Sequence, residues 1–580
     1  MIARLALIVL LAALSGCMIW DTGPDIPFLL DRPTPPQRLN ARSPWYDLDG
    51  QRVELLANYC GWDTLRQQRI AHLPINEKVR QMIWGADELI VASFFLFDNL
   101  YADEPVGGWS DYSDELADLL IAKKADRPSL TIVLILDLFH KGWGHRHSAV
   151  VDRLRKAGVD VFYSDLLETR PAQRLGIWEG LHRAGRQADL ASDGLLALPW
   201  NLVGRTPIPG LILDKDMVTV SAIANAALFK ANHRKALVVK RRGIYEALTT
   251  SWNPHNPSLL HENHAISVTG PLACYMYLQL REDVSHSLSL GRDYASLATH
   301  TSADRRDHYL QRQLPPLPDS AWRVEPIHHE DTKETKTHEN DFLSPFRASS
   351  SPSCLRGAVN AQACVATEEA IEPILMRWLS EVEADDQVRI QMFYLSRVPV
   401  VSAILDAARR TKQPIRILLD PNRVGINYSK DATPNAQVAA YLLQRAAEEN
   451  ARLEIRWYAT HGEQNHAKAI TITNPNTGKY LLSLGSANWT RKNLAGINME
   501  NNIFIRNAPQ LNGQFNTLFD RQWFNTDPGI EYSVAWDDPR YNYHHHKSLD
   551  CWAVPRYSHF QPLYDDHGRP QLLEQELVHW

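Results

Sequence analysis

At 580 residues the chain exceeds one ordinary domain and predicts two to four. Its 44% apolar and 22% charged residues leave ample material for large cores, which excludes a disordered or fibrous chain. The net charge of −6 at pH 7 argues against a general nucleic-acid binder, although it permits a local basic cleft.

The N-terminus predicts export. Arg4 supplies a positive charge, and Leu5 to Leu14 form an apolar run too short to span a bilayer. The run ends in Leu14-Ser15-Gly16-Cys17, which resembles the lipobox of bacterial lipoproteins. That resemblance implies a signal peptide over 1–16, lipidation at Cys17 and membrane attachment. With Met18 next, it implies the outer membrane, facing the periplasm. Residues 17–46 carry Pro24, Pro27, Pro33, Pro35, Pro36 and Pro44 and predict an extended tether. Export permits disulfides, and Cys354 with Cys364 is the expected pair; Cys60 with Cys551 would tie the two ends together.

A first α/β region is expected over 47–295. Glu88 to Phe97 and Leu130 to Leu138 are apolar runs of strand length, with a helix over Ser113 to Lys124 between them. A helix over Ser148 to Ala157 and a strand over Val159 to Ser164 follow, predicting a largely parallel sheet with covering helices. An insertion over about 165–216, with Trp178 and Trp200, predicts a lid or pocket wall, or else a structural add-on. Residues 296–365 are polar and predict an interdomain linker, partly flexible. The pattern then returns over 366–530. Strands are expected at Gln387 to Leu395, Ile415 to Asp420, Leu453 to Ala459 and Tyr480 to Leu484, and helices at Pro399 to Arg410 and Ala436 to Ala447. The two regions read as copies of one fold, offset by roughly 233 residues. The extension 531–580 contains His544-His545-His546, read as a solvated run rather than a metal site.

One polar constellation appears twice. His233-Arg234-Lys235 is followed by Ser251-Trp252-Asn253 and Glu262-Asn263; His466-Ala467-Lys468 is followed by Ser486-Ala487-Asn488 and Glu500-Asn501. Singly, each residue reads as a core, cap or solvated side chain. Jointly, they predict two half-sites that meet on an anionic substrate. Two histidines suit a phosphodiester, one attacking while neutral and the other donating a proton to the leaving alkoxide. Attack by an imidazole nitrogen gives a covalent phosphohistidine. Lysines and asparagines supply donors for the non-bridging oxygens. Glu262 and Glu500 are the expected carboxylates on the far nitrogens of the imidazoles. The set requires no metal and no cofactor.

These motifs resemble the phospholipase D superfamily of H-x-K phosphodiesterases and phosphatidyltransferases, over roughly 47–530. The resemblance implies an α/β fold class: two phospholipase D-like α/β/α sandwich domains in a pseudo-twofold duplication, with the active site at their interface. It implies His233 and His466 as nucleophile and general acid in unassigned order. Lys235, Lys468, Asn253 and Asn488 bind phosphate, helped by Ser251 and Ser486, and Glu262 and Glu500 orient the histidines. Two departures stand out. Lys240 and Thr473 occupy the place of the usual motif aspartate, and Thr250 replaces the glycine before Ser251. Phospholipid is the expected substrate, with hydrolysis and transfer both open, and a monomer is expected. A metal-independent nuclease of the same superfamily, or a lipoprotein that keeps the fold to bind lipid or a partner, are the alternatives.

Overall fold

The computed structural model describes residues 42–97, 112–137, 149–164, 198–199, 217–218, 231–290, 295–296, 306–318, 353–354, 361–422, 434–496 and 498–541. Cys17, the histidine triplet and all of the insertion except 198–199 lie outside them.

In the first half, β1 (Arg52–Asp63) and β2 (Gln68–His72) form a hairpin, followed by α1 (Pro74–Gly85). Next come β3 (Leu89–Phe94), α2 (Tyr112–Asp126), β4 (Thr131–Asp137), α3 (Ala149–Lys156) and β5 (Asp160–Ser164). The half closes with β6 (Ala236–Arg241), β7 (Ile244–Thr250), β8 (Asn263–Thr269) and the long helix α4 (Pro271–Leu290). β3 and β4 are buried along their length, as their unbroken apolar runs require of strands covered on both faces.

The second half repeats this plan. α5 (Arg306–Gln313) leads to β9 (Gln362–Thr367), α6 (Ile371–Ser380), β10 (Gln387–Met392), α7 (Val398–Arg410), β11 (Ile415–Leu419), α8 (Asn435–Glu448) and β12 (Leu453–Tyr458). β13 (Lys468–Asn474), β14 (Lys479–Gly485), β15 (Asn501–Arg506), α9 (Pro509–Phe524) and β16 (Ser533–Ala535) complete it. The core strand orders are β5-β4-β3-β6-β7-β8-β1 and β12-β11-β10-β13-β14-β15-β9, the same arrangement twice. In each, the first two pairings are parallel and the rest antiparallel, so the sheets are mixed rather than largely parallel. The apolar runs reported burial on both faces, and burial does not fix strand direction.

Three apolar clusters layer the molecule. One lies under α1, α2 and α3, one under α6, α7 and α8, and a central one joins both sheets through α4 and α9. The halves also exchange edges: Tyr46–Asp47 pairs with β9, and Ser353–Cys354 pairs with β1. Within the polar 296–365 stretch, α5 buries Tyr309 and Leu310 in the central core, so this part is structure rather than linker. The expected Cys354–Cys364 disulfide is absent. Cys364 is a free thiol buried in the second-half core on β9, while Cys354 sits on the edge strand of the opposite sheet. Cys60 is also free, its thiol donating to the Leu260 carbonyl at 3.2 Å.

Candidate active site

Each H-x-K enters the strand after a backbone contact to the other half. His233 N–H donates to the Met499 carbonyl (2.8 Å), and Glu262 N–H donates to the Gln464 carbonyl (2.8 Å). The residue before each histidine is tied to a carboxylate at the end of a parallel strand. Asn232 N–H donates to Asp137, and Asn465 N–H to Asp420 at 2.6 Å. Alternation along an extended strand then puts histidine and lysine on one side. Lys235 Nζ folds back to the His233 carbonyl at 2.7 Å, and Lys468 Nζ to the His466 carbonyl at 2.6 Å.

The imidazoles face one another across the interface, with ring centres 6.5 Å apart. Phe95 packs edge-on against His233 at 5.1 Å and under Lys235 at 5.1 Å; Phe393 does the same for His466 and Lys468, both at 4.9 Å. Both lysines are almost wholly buried, and among the described residues neither ammonium has a carboxylate within ion-pair distance.

Behind the histidines the halves diverge. His233 Nδ1 meets Glu500, 2.9 Å from Oε1 and 3.0 Å from Oε2. Ser486 Oγ and Asn493 Nδ2 also donate to Glu500. His466 Nδ1 instead meets Asn263 Oδ1 at 3.0 Å, and Ser251 Oγ donates to the same oxygen at 2.9 Å. Asn263 is therefore the counterpart of Glu500. Strand register agrees: Thr250 pairs with Ala265, and Gly485 with Asn502. Glu262, expected to orient a histidine, touches neither. Its carboxylate accepts from Gln522 Nε2 (2.8 and 2.7 Å) and lies 3.3 Å from His264 Nε2. The two Glu-Asn pairs are thus offset by one residue between the copies.

Asn253 Oδ1 accepts the Leu96 N–H at 3.2 Å, which leaves its NH2 to donate. Among the described residues, the buried Oδ1 of Asn488 has no hydrogen-bond partner. Thr250 needs no glycine, because its hydroxyl donates to the His264 carbonyl (2.9 Å); Gly485 has no such room, since a Cβ there would lie 2.3 Å from the Asn501 carbonyl oxygen. Lys240 sits at the far end of β6, ion-paired with Glu88, and Thr473 Oγ1 accepts from Asn516 at 3.1 Å. The missing motif aspartates therefore belong to the sheet, not the cleft.

Burial governs the electrostatics. It pushes His233 down to about 4, with Glu500 pulling up and Lys235 pushing down. Burial and then Lys468 hold His466 well below the usual imidazole range. Lys235 falls to about 7 through burial, against Glu500 and Asp137. Burial and then Lys235 drive Lys468 well below the ordinary lysine value. Burial works to raise Glu500, but His233 and Lys235 hold it below the ordinary carboxyl value. Asp420 rises to about 7 by burial, opposed by the N–H groups of Asn422 and Asn465.

Sequence reasoning missed Phe95, Phe393, Asp137, Asp420, Asn263 and His261. The aspartates carried a signal, each following an apolar strand run at the same place in its copy. His261 lies beside His466, ring centres 6.1 Å apart, and its Nδ1 accepts the Gln464 N–H at 3.1 Å. Among the described residues no group of three or more His, Cys, Asp or Glu side chains is placed to hold a metal ion.

Two facing H-x-K half-sites thus lie on a duplicated α/β scaffold. Residues 382–523 match the family described as cardiolipin synthase, PLD-like domain. No curated protein matches the chain. The structure is similar to phosphatidylserine synthase from Haemophilus influenzae Rd KW20, at 11% identity over 90% of this chain and 94% of that one, with a TM-score of 0.48. It is similar to Nuc, a phospholipase D family member from Salmonella typhimurium, at 17% identity over 28% of this chain and 95% of that one, with a TM-score of 0.22. Polyphosphate kinase from Porphyromonas gingivalis matches at 11% identity over 87% of this chain and 52% of that one, with a TM-score of 0.37. At these scores the likenesses decide nothing about the site.

Proposed function

We propose that the chain is a membrane-anchored phosphodiesterase or phosphatidyltransferase that acts on phospholipids through a covalent intermediate on His233. The observation that carries this reading is the asymmetry behind the two imidazoles: a carboxylate on His233 and a neutral amide on His466. A nucleophilic imidazole becomes cationic when its Nε2 bonds phosphorus, and an ionised carboxylate on Nδ1 stabilises that cation. An acid must release its proton, and an amide that orients the ring without stabilising its charge favours release.

The diester phosphate binds Lys235 and Lys468, with the amide groups of Asn253 and Asn488 beside them. Its charge offsets the burial that holds both lysines and His466 down. His233 Nε2 attacks phosphorus, the P–O bond to the leaving alcohol breaks, and the His466 Nε2 proton passes to that oxygen. Water or a second alcohol then gives a proton to His466 and attacks phosphorus; the P–N bond breaks and His233 is restored. Water yields hydrolysis, and an alcohol yields transfer.

Lipidation at Cys17, supported by the Leu14-Ser15-Gly16-Cys17 sequence, would hold the cleft near headgroups in the bacterial envelope, at the outer membrane facing the periplasm. The test incubates the chain from Met18 onward with mixed phospholipid vesicles, with and without a primary alcohol. Mass spectrometry reads phosphatidic acid and the phosphatidylalcohol. Both products are expected, and both vanish in His233→Ala. No product from any phospholipid overturns the lipid reading.

A further inference from the structure

Behind Glu500 lies a buried charged group that phosphate binding does not explain. Arg234, the middle residue of the first H-x-K, points away from the cleft because neighbours on an extended strand face opposite sides. Its Nη1 lies 2.8 Å from both carboxylate oxygens of Asp283 on α4. Its Nε and Nη2 donate to Glu368 Oε1 at 3.1 and 2.6 Å. The group also grips the main chain of Glu500 from both sides. Arg234 Nε donates to the Glu500 carbonyl at 3.3 Å, and Glu368 Oε1 accepts the Glu500 N–H at 3.0 Å.

Three features set this group apart from an ordinary buried ion pair. First, Glu368 has φ +46°, a left-handed conformation that disfavours any residue with a Cβ. It falls where the β9–β15 ladder ends, at Thr367 opposite Asn501, and there the Glu368 side chain takes the N–H that a ladder carbonyl would have taken. Second, burial pushes the Glu368 carboxyl up to about 7 against the pull of Arg234 and a hydrogen bond from the Thr367 side chain, so the group is costly to keep. Third, it exists on one side alone. Ala467 stands in the place of Arg234 in the second H-x-K, and Asn263 is held by ordinary ladder pairing with Asn58.

We propose that Arg234 and Glu368 are positioning residues that fix the main chain of Glu500 across the interface, and through it the attack angle of His233. This rests on the reading of His233 as the nucleophile. Arg234 and Asp283 come from the first half and Glu368 from the second, so the clamp also makes His233 competent only when the halves are docked.

The test uses bis(p-nitrophenyl) phosphate, whose leaving group needs no acid, so the rate reports His233. Glu368→Leu is expected to lower kcat about 30-fold with KM within about twofold, and to move the acid limb of kcat down by about one pH unit as Glu500 loses its hold on the imidazole. Glu368→Gln keeps an acceptor oxygen and is expected to return kcat to within about fivefold of the parent, with the limb in place. Equal losses in both variants with an unmoved limb, or no loss, overturn the proposal. Should Glu368→Leu not fold, Arg234→Lys decides: it keeps a cation beside Asp283 but loses the Nε donor, and an unchanged kcat and limb overturn the clamp. Failure of the underlying reading looks different: the parent is inactive on the diester, or His233→Ala matches the parent.

Discussion

The two half-sites share strand order, H-x-K, buried lysine and phenylalanine, yet differ in what stands behind the imidazole. On the His233 side a carboxylate, Glu500, is held by Ser486, Asn493 and the Arg234–Glu368 group. On the His466 side an amide, Asn263, is held by Ser251. Duplication supplies two equivalent imidazoles, but attack and proton donation require unequal ones. In the proposed mechanism, a carboxylate behind one ring and an amide behind the other separate the roles without moving the scaffold.

The largest effect that breaks the comparison is removal of each ring. His233→Ala should abolish turnover of every diester. His466→Ala should cost about 10²- to 10⁴-fold on an alkyl diester and far less on a p-nitrophenyl diester, where no acid is needed. Equal losses on both substrates would make the histidines interchangeable. Next, Glu500→Gln gives both rings an amide and is expected to lower kcat about 10²-fold on either substrate, as removal of a charged partner at a nucleophile does. The converse change, Asn263→Asp, gives both rings a carboxylate. It should raise the His466 pKa and carry the basic limb of kcat upward by about one unit, with a slower alkyl-diester rate.

A smaller effect concerns the lysines the halves share. Burial lowers Lys235 to about 7, and a bound anion favours its protonated form. Binding above pH 7 therefore takes up a proton, and affinity for inorganic phosphate should fall as pH rises from 7, by up to about tenfold per unit. Calorimetry in buffers of different ionisation heat checks this through proton uptake near pH 8. The smallest effect is at the departed motif positions: Lys240→Asp should leave kcat/KM within about twofold, because that side chain meets Glu88 at the far end of β6.

Much of this was legible in the sequence, for physical reasons. The strands β3, β4, β10, β11 and β12 match their predicted places: β3 and β4 leave a near-continuous apolar run, and β10, β11 and β12 interleave polar residues with buried apolar ones. The paired His, Lys, Ser and Asn residues stood out because two copies had to keep the same polar atoms at one interface. Asn263 was hidden because register, not spelling, defines the counterpart of Glu500, and the loop before β8 differs in length from that before β15. α5 was hidden in a polar segment because it buries chiefly Tyr309 and Leu310. Cys364 looked like half of a disulfide until β9 placed it in a core. Arg234 had no sequence signal, since its partners Asp283 and Glu368 are distant in the chain, and Glu368 meets it only across the docked halves.

The most direct test of the account is to trap the intermediate. His466→Ala, mixed with an activated diester and quenched at alkaline pH, should accumulate a phosphoryl adduct that peptide mass spectrometry locates on His233, and Glu500→Gln in the same background should slow its formation. An adduct on His466 in His233→Ala, with none on His233 in His466→Ala, would reverse the roles and contradict the account.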